Sequence, residues 1–180
     1  MKKSILIVLL LVLLAVAVGA SGCLSDNGGN GATNATPEVT FDESIVTLTV
    51  PGFELLAVRD SIASEQRILG VTDALNGITG YYWVTETSNN VYISVYQTEN
   101  NASARAYVQS MINAHRAANN TVTNVTISGN NATVFTTTTF VGGANVERFT
   151  LAWASDDKLV IVFGPATWAE IKTIAEASDL

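Results

Sequence analysis

The sequence predicts an α+β domain over residues 41–180, built as a single antiparallel β-sheet of about six to eight strands with two main helices packed on it. Three observations predict this class. From residue 78 onward the chain breaks into short runs rich in Val, Ile, Thr, Tyr, Phe and Trp, separated by turns of Asn, Gly, Ser and Asp. Two stretches, 102–118 and 167–178, carry helical spacing of their apolar residues instead of strand alternation. A hairpin followed by a helix occurs twice, over 79–118 and 146–178, and Val91–Val95 before the first helix matches Leu159–Phe163 before the second.

The elements follow in order. Residues 44–58 read as one or two strands, and 59–76 as a short helix within a loop. Ile78–Glu86 and Val91–Thr98 are strands joined through Thr87-Ser88-Asn89-Asn90. Ala102–Ala118 is a helix with Ala104, Val108, Met111, Ile112 and His115 on one side, capped by Asn100 or Asn101. Residues 121–128 and Thr133–Val141 are strands about the turn Ser128-Gly129-Asn130-Asn131. After Gly142-Gly143-Ala144-Asn145, the strand Val146–Ala154 alternates, with Phe149, Leu151 and Trp153 on one face. Ser155-Asp156-Asp157-Lys158 is a tight turn. Leu159–Phe163 is apolar on both faces and belongs in the middle of the sheet. Pro165 ends it, and Thr167-Trp168-Ala169-Glu170 is a capping box opening a last helix, with Trp168, Ile171 and Ala175 on one face.

The first 40 residues have another character. Lys2-Lys3 precede an apolar run from Ile5 to Val18, then Gly19, Ala20, Ser21, Gly22 and the single cysteine, Cys23. The basic start stays on the cytoplasmic side, and the apolar run has signal-peptide length, slightly short of the about 20 residues of a comfortable span. Ala20-Ser21-Gly22-Cys23 resembles the lipobox of prokaryotic lipoproteins, and residues 1–40 as a whole resemble exported lipoproteins of archaea and Gram-positive bacteria. The resemblance implies that 1–22 are removed and that Cys23 is lipidated and becomes the new N-terminus. An uncleaved N-terminal membrane anchor and full release are the competing readings. A lone cysteine suits lipidation, since disulfides need an even count. Residues 24–37, made of Gly, Asn, Ser, Thr and little to bury, read as a flexible tether, so 23–40 form a lipidated cysteine plus spacer. The order of elements in the domain resembles small exported lipoproteins with the Mog1/PsbP-like sandwich. No motif carries that analogy, and it implies no function.

Charge limits the partners. The chain has a net charge of −7, and residues 23–180 hold 7 basic against 16 acidic residues, a net of −9. Such a domain is repelled by nucleic-acid phosphates and by anionic headgroups, so the expected link to the membrane is the N-terminal lipid or helix alone, with no nucleic-acid partner. Five N-x-S/T sequons, at Asn34, Asn101, Asn119, Asn124 and Asn131, make candidate glycosylation sites. Surface turns rich in Asn account for them equally well.

Chemistry-bearing constellations are sparse. His115 is the only histidine and has no nominated nucleophile, so a structural role is expected. One His and one lipidated Cys make no zinc site, and no cofactor or metal is expected. Asp42-Glu43 and Asp156-Asp157 lack calcium-loop spacing, and no glycine run has the context of a phosphate cradle. The one suggestive group is aromatic: Tyr81, Tyr82, Trp83, Tyr92 and Tyr96 on one hairpin. Alternation puts Tyr92 and Tyr96 on one face as a candidate binding face for a sugar or peptide, while cross-strand stabilisation explains them as well. The expectation is a membrane-anchored extracytoplasmic lipoprotein with a non-catalytic binding or structural role at the cell surface. The alternative is a surface-polymer hydrolase using two distant carboxylates.

Overall fold

The computed structural model describes residues 41–180. The expectations for 1–22 and 23–40, including Cys23 and Asn34, lie outside the described residues. Seven strands form one antiparallel sheet: β1 (Phe53–Ile62), β2 (Asn76–Val84), β3 (Asn90–Gln97), β4 (Thr121–Ile127), β5 (Asn130–Val141), β6 (Ala144–Ser155) and β7 (Lys158–Phe163). Their spatial order is β1-β2-β3-β7-β6-β5-β4. Two helices pack on it, α1 (Asn101–Ala117) and α2 (Trp168–Ala177).

The apolar run read as central is central. β7 pairs with β3 through Tyr92↔Phe163 to Gln97↔Lys158, and with β6 through Thr150↔Phe163 to Ser155↔Lys158. Its side chains alternate between two separate cores. Val160 and Val162 join Ile93, Leu151, Trp153, Ile171 and Ile174 on one face. Leu159 and Ile161 join Tyr96, Met111, Phe135 and Ala152 on the other. The two helices therefore cover opposite faces, α2 over the first core and α1 over the second. Fully burying one such aliphatic side chain contributes about 1.5–3 kcal/mol.

The topology explains α1. After β3 the chain crosses by α1 to the far edge, where β4 begins, and β5, β6 and β7 then fill the gap back to β3. The helix accordingly lies across β4, β5, β6 and β7 and leaves β1, β2 and β3 to other cover. Its N-cap is Asn100, whose side-chain oxygen accepts from the Ser103 amide at 3.0 Å. The two hairpin–helix units meet at β3–β7 with their helices on opposite faces, so the sequence repeat is one of order, not symmetry.

Two expectations near the start are met in part. Residues 44–58 hold a single 3₁₀ turn, Glu43–Val46, and only the first half of one strand. The Asp42 side chain accepts from the Ser44 amide at 2.9 Å and bends the chain there. Residues 59–76 carry no helix beyond one 3₁₀ turn, Ala63–Gln66, because β1 runs on to Ile62. β1 was hard to read because it is an edge strand with an irregularity. The register slips between Leu55 and Ala57, which leaves Leu56 bulged and exposed and shifts the alternation. The segment before β1 is pinned by Tyr82, whose hydroxyl donates to the Val46 carbonyl at 2.5 Å and accepts from the Leu48 amide at 2.6 Å.

The capping box at α2 forms as the sequence indicates, and it does more than cap. Glu170, only 9% exposed, accepts from the Thr167 amide at 2.7 Å and from Asn89 Nδ2 at 3.0 Å, and takes a further bond from the Thr87 hydroxyl. One carboxylate thus ties the start of α2 to the β2–β3 turn. Burial pushes its pKa up, but the bonds from Thr87, Thr167 and Asn89 outweigh burial and hold it below the usual 4.5. A depressed folded pKa contributes stability that is present above the unfolded value and lost as pH falls through the folded one. We expect Glu170→Gln to lower stability at neutral pH and to flatten its decline below about pH 4.5, as read by urea unfolding across pH.

β5 and β6 extend past their outer neighbours. β4 pairs with β5 only up to Thr136, and β7 pairs with β6 only from Thr150. Thr137–Val141 and Ala144–Arg148 therefore have each other as their strand partners in a ribbon that ends at Gly142-Gly143, both at positive φ as a type I′ turn requires. Phe149 roots the ribbon against Trp168, ring centroids 6.0 Å apart, while Phe140 near the tip is 72% exposed. A two-stranded ribbon is marginal in water. Amides of Thr138–Glu147 should exchange with solvent hydrogen faster than those of β3 and β7, measurable by hydrogen-exchange mass spectrometry.

Candidate functional site

The registers place a row of aromatic residues across three strands on the α1 side of the sheet. Tyr81 on β2 pairs with Tyr92 on β3, which pairs with Phe163 on β7, and Thr150 on β6 follows. Ring centroids are 5.3 Å apart for Tyr81–Tyr92 and 5.3 Å for Tyr92–Phe163, with interplanar angles of 65° and 57°. Edge-to-face pairs of this kind contribute about 0.5–1.5 kcal/mol beyond area burial. All three rings are half-buried. The Arg59 guanidinium, on neighbouring β1, stands 5.8 Å from the Tyr81 centroid, within cation–π range.

Tyr96 does not belong to this surface. Tyr92 and Tyr96 share a sheet face, as alternation requires, but Tyr96 is 0% exposed. It packs in the core with Ala63, Val71 and Met111, beneath the 63–75 loop and α1. Its ring lies against Gly77 on β2, where a Cβ would collide with it. Its hydroxyl faces Ser61, Thr79 and Ser94, themselves joined at 3.0 Å and 2.7 Å, without a hydrogen bond of good geometry. Burial raises its pKa, offset in part by those hydroxyls. The candidate binding face is corrected accordingly: the half-buried partners of Tyr92 are Tyr81 and Phe163.

The row leads into a cleft of about 210 Å³ between the 66–69 loop and the end of α1. Gln66 and Arg67 line it from the loop, His115 from α1, and Thr150, Ile161 and Phe163 from the sheet. Arg67 has φ 54°, a left-handed conformation at the end of the 3₁₀ turn. His115 is 5% exposed and stacks on Phe135 with centroids 4.2 Å apart. Asn120 Nδ2 lies 3.1 Å from His115 Nδ1, and with the amide donating, the neutral ring carries its proton on Nε2. The ring is one of the walls of the cleft. Burial holds the His115 pKa below 6.5. The sign follows: the unfolded chain binds the proton more readily, so stability is full above pH 6.5 and falls as pH drops through the folded pKa. His115→Phe should remove that part of the pH dependence between neutrality and the carboxylate range, read as thermal midpoint against pH. A His115 that keeps the same midpoint slope as the Phe variant would refute the assignment.

The acidic residues and sequons singled out in the sequence are placed separately. Asp42 caps the first 3₁₀ turn, and Asp157 pairs with Lys158 at 3.0 Å in the β6–β7 turn. Asp73 accepts from the Tyr107 hydroxyl at 2.6 Å, which pushes that phenol up to about 12. Among the described residues no group of three or more His, Cys, Asp or Glu is placed to hold a metal ion. Asn101 is the first residue of α1, and its amide donates to the Asp156 carbonyl at 2.8 Å. Asn131 is exposed, but its sequon hydroxyl on Thr133 is buried. Asn119 and Asn124 are exposed together with Thr121 and Thr126, so these two are the accessible sequons among the described residues.

The cations divide by residue type and by side. Among the described residues both lysines are paired, Lys158 with Asp157 and Lys172 with Glu176 at 3.3 Å. Among the described residues, none of the five arginines, at 59, 67, 105, 116 and 148, has a carboxylate within 4.0 Å. Arg59 stands over the aromatic row, Arg67 lines the cleft, and Arg148 lies two residues before Thr150 on the same face of β6. Residue periodicity shows the tyrosines; it gives no sign of Arg59 and Arg67, which sit in an edge strand and a loop, or of Arg148, which lies 81 positions beyond Arg67. Compared with protein-family models, curated proteins and solved structures, the chain matches none of them.

Proposed function

We propose that this chain is a membrane-anchored extracytoplasmic lipoprotein whose 41–180 domain has a non-catalytic binding role at the cell surface. The observation that carries the address is Ala20-Ser21-Gly22-Cys23 directly after a basic start and an apolar run, in a chain with no second cysteine. Among the described residues no helix is long and apolar enough to cross a membrane, so attachment falls to the N-terminal segment. The binding role is supported by the half-buried aromatic row and the arginine-lined cleft beside it.

The alternative, a surface-polymer hydrolase, needs two carboxylates converging on one cleft. Asp73 and Glu99 line adjoining clefts that share Ser103 and Tyr107, and Asp73 is already engaged by Tyr107. No carboxylate lines the cleft beside the aromatic row. The arrangement favours binding over hydrolysis.

Intact-mass measurement on membrane-extracted protein tests the address. The expected mass begins at residue 23 and carries added lipid, and Cys23→Ser should abolish both the cleavage and the added mass. A mass matching the chain from Met1 would turn the feature into an uncleaved anchor. In-cell crosslinking then tests the role: a constant surface partner or polymer supports binding, and recovery of the domain alone counts against it.

A further inference from the structure

The α1 side of the sheet gathers two things that the rest of the domain lacks: half-buried aromatic rings in a row, and arginines without acidic partners. The contrast with the rest of the molecule is what makes the second informative. The described residues contain 14 carboxylates and 7 cations, and both lysines have found a carboxylate. Arg59 and Arg67 are exposed and have no carboxylate of the described residues within 4.0 Å. In a chain so acidic, an arginine left free beside a cleft without carboxylates creates a local positive potential against the net charge.

The chemistry of the lining narrows the ligand. Guanidinium groups bind planar carboxylates through paired, charge-assisted hydrogen bonds. Gln66, Thr150 and His115, whose neutral ring carries its proton on Nε2, add neutral donors and acceptors suited to hydroxyl groups. The rings of Tyr81, Tyr92 and Phe163 offer apolar contact for the C–H face of a pyranose. A free carboxylic acid would use the arginines and leave the aromatic row idle, and a neutral sugar would do the reverse.

We propose that the Tyr81–Tyr92–Phe163 row, with Arg59 over Tyr81, and the adjoining Arg67 cleft bind a glycan bearing carboxylates, of the uronic-acid class. This rests on the binding reading above and adds the ligand class. The rings stack on the sugar, Arg67 and Arg59 take the carboxylates, and His115 donates from Nε2 to a hydroxyl oxygen. Arg148 reinforces the potential from the β6 side.

The test is isothermal titration of the full-length protein in zwitterionic detergent with hexagalacturonate, with its methyl ester, and with a six-residue single-stranded oligothymidylate. The ester keeps every ring and removes the charge. The acid should bind at least about tenfold more tightly than the ester, the equivalent of one charge-assisted contact, and its affinity should fall as salt rises. Arg59→Gln/Arg67→Gln, at exposed positions that spare the fold, should weaken binding of the acid about tenfold or more. Arg105→Gln, on α1 outside this cleft, should leave it unchanged. Equal binding of acid and ester would overturn the carboxylate assignment and leave a glycan-binding domain. Tighter binding of the oligothymidylate, or an Arg105 variant as weak as the double variant, would overturn the site. Binding of neither sugar overturns the ligand class, while the surface-binding reading is judged separately by the crosslinked partner.

Discussion

Everything in the domain is arranged about a strand that has no solvent face. β7 places Val160 and Val162 in one core and Leu159 and Ile161 in the other, and all four are fully buried. A strand apolar on both sides needs cover on both sides, because neither row of side chains can be left in water. The domain meets this with one helix per face. β7 also joins the β2–β3 hairpin to the β6–β5–β4 ladder, so the sheet is continuous only through it. Losing its register by one residue would exchange the two cores, whose partners differ in size: Trp153 and Ile171 on one side, Phe135 and Met111 on the other.

Two-sided cover is unequal, and the candidate site lies where it stops. α1 lies across β4 to β7 because the chain needs it to cross from β3 to the far edge. The same face over β1 to β3 is left to the 63–75 loop, which closes the Tyr96 end and stops short of Tyr92. Aromatic residues that would be core under a helix are thus only half-buried at the boundary. The loop residues Gln66 and Arg67 and the α1 residue His115 meet the sheet at that boundary and form the cleft. The site is a consequence of where a crossover helix ends.

Polar groups hold the parts that apolar packing does not. Glu170 secures α2 to the β2–β3 turn, and the Tyr82 hydroxyl secures the segment around Val46 to the sheet. Each is a buried or half-buried group whose removal leaves partners unsatisfied, which costs more than the bond itself contributes. The β5–β6 ribbon has no comparable tie beyond Phe149 against Trp168. Its Thr-rich, uncharged edge is the part of the described chain least held by the rest.

The sequence by itself determined the fold class, the strands from Asn76 onward to within a few residues, the central place of β7 and the capping box of α2. These are local: alternation, turn residues and cap spacing act over a few positions, and β7 declares its place by being apolar on both faces. It also supplied the whole case for Cys23. The tertiary structure alone decided that the helices lie on opposite faces, that Tyr96 is core while Tyr92 is not, and that Arg59, Arg67 and His115 meet one aromatic row. Tyr92 and Tyr96 have the same periodicity and the same face, and nothing within the strand distinguishes them. What separates them is where a loop and a helix, distant in sequence, lie on the sheet. Burial depends on what covers a face, and that is set by topology rather than by the strand's own residues.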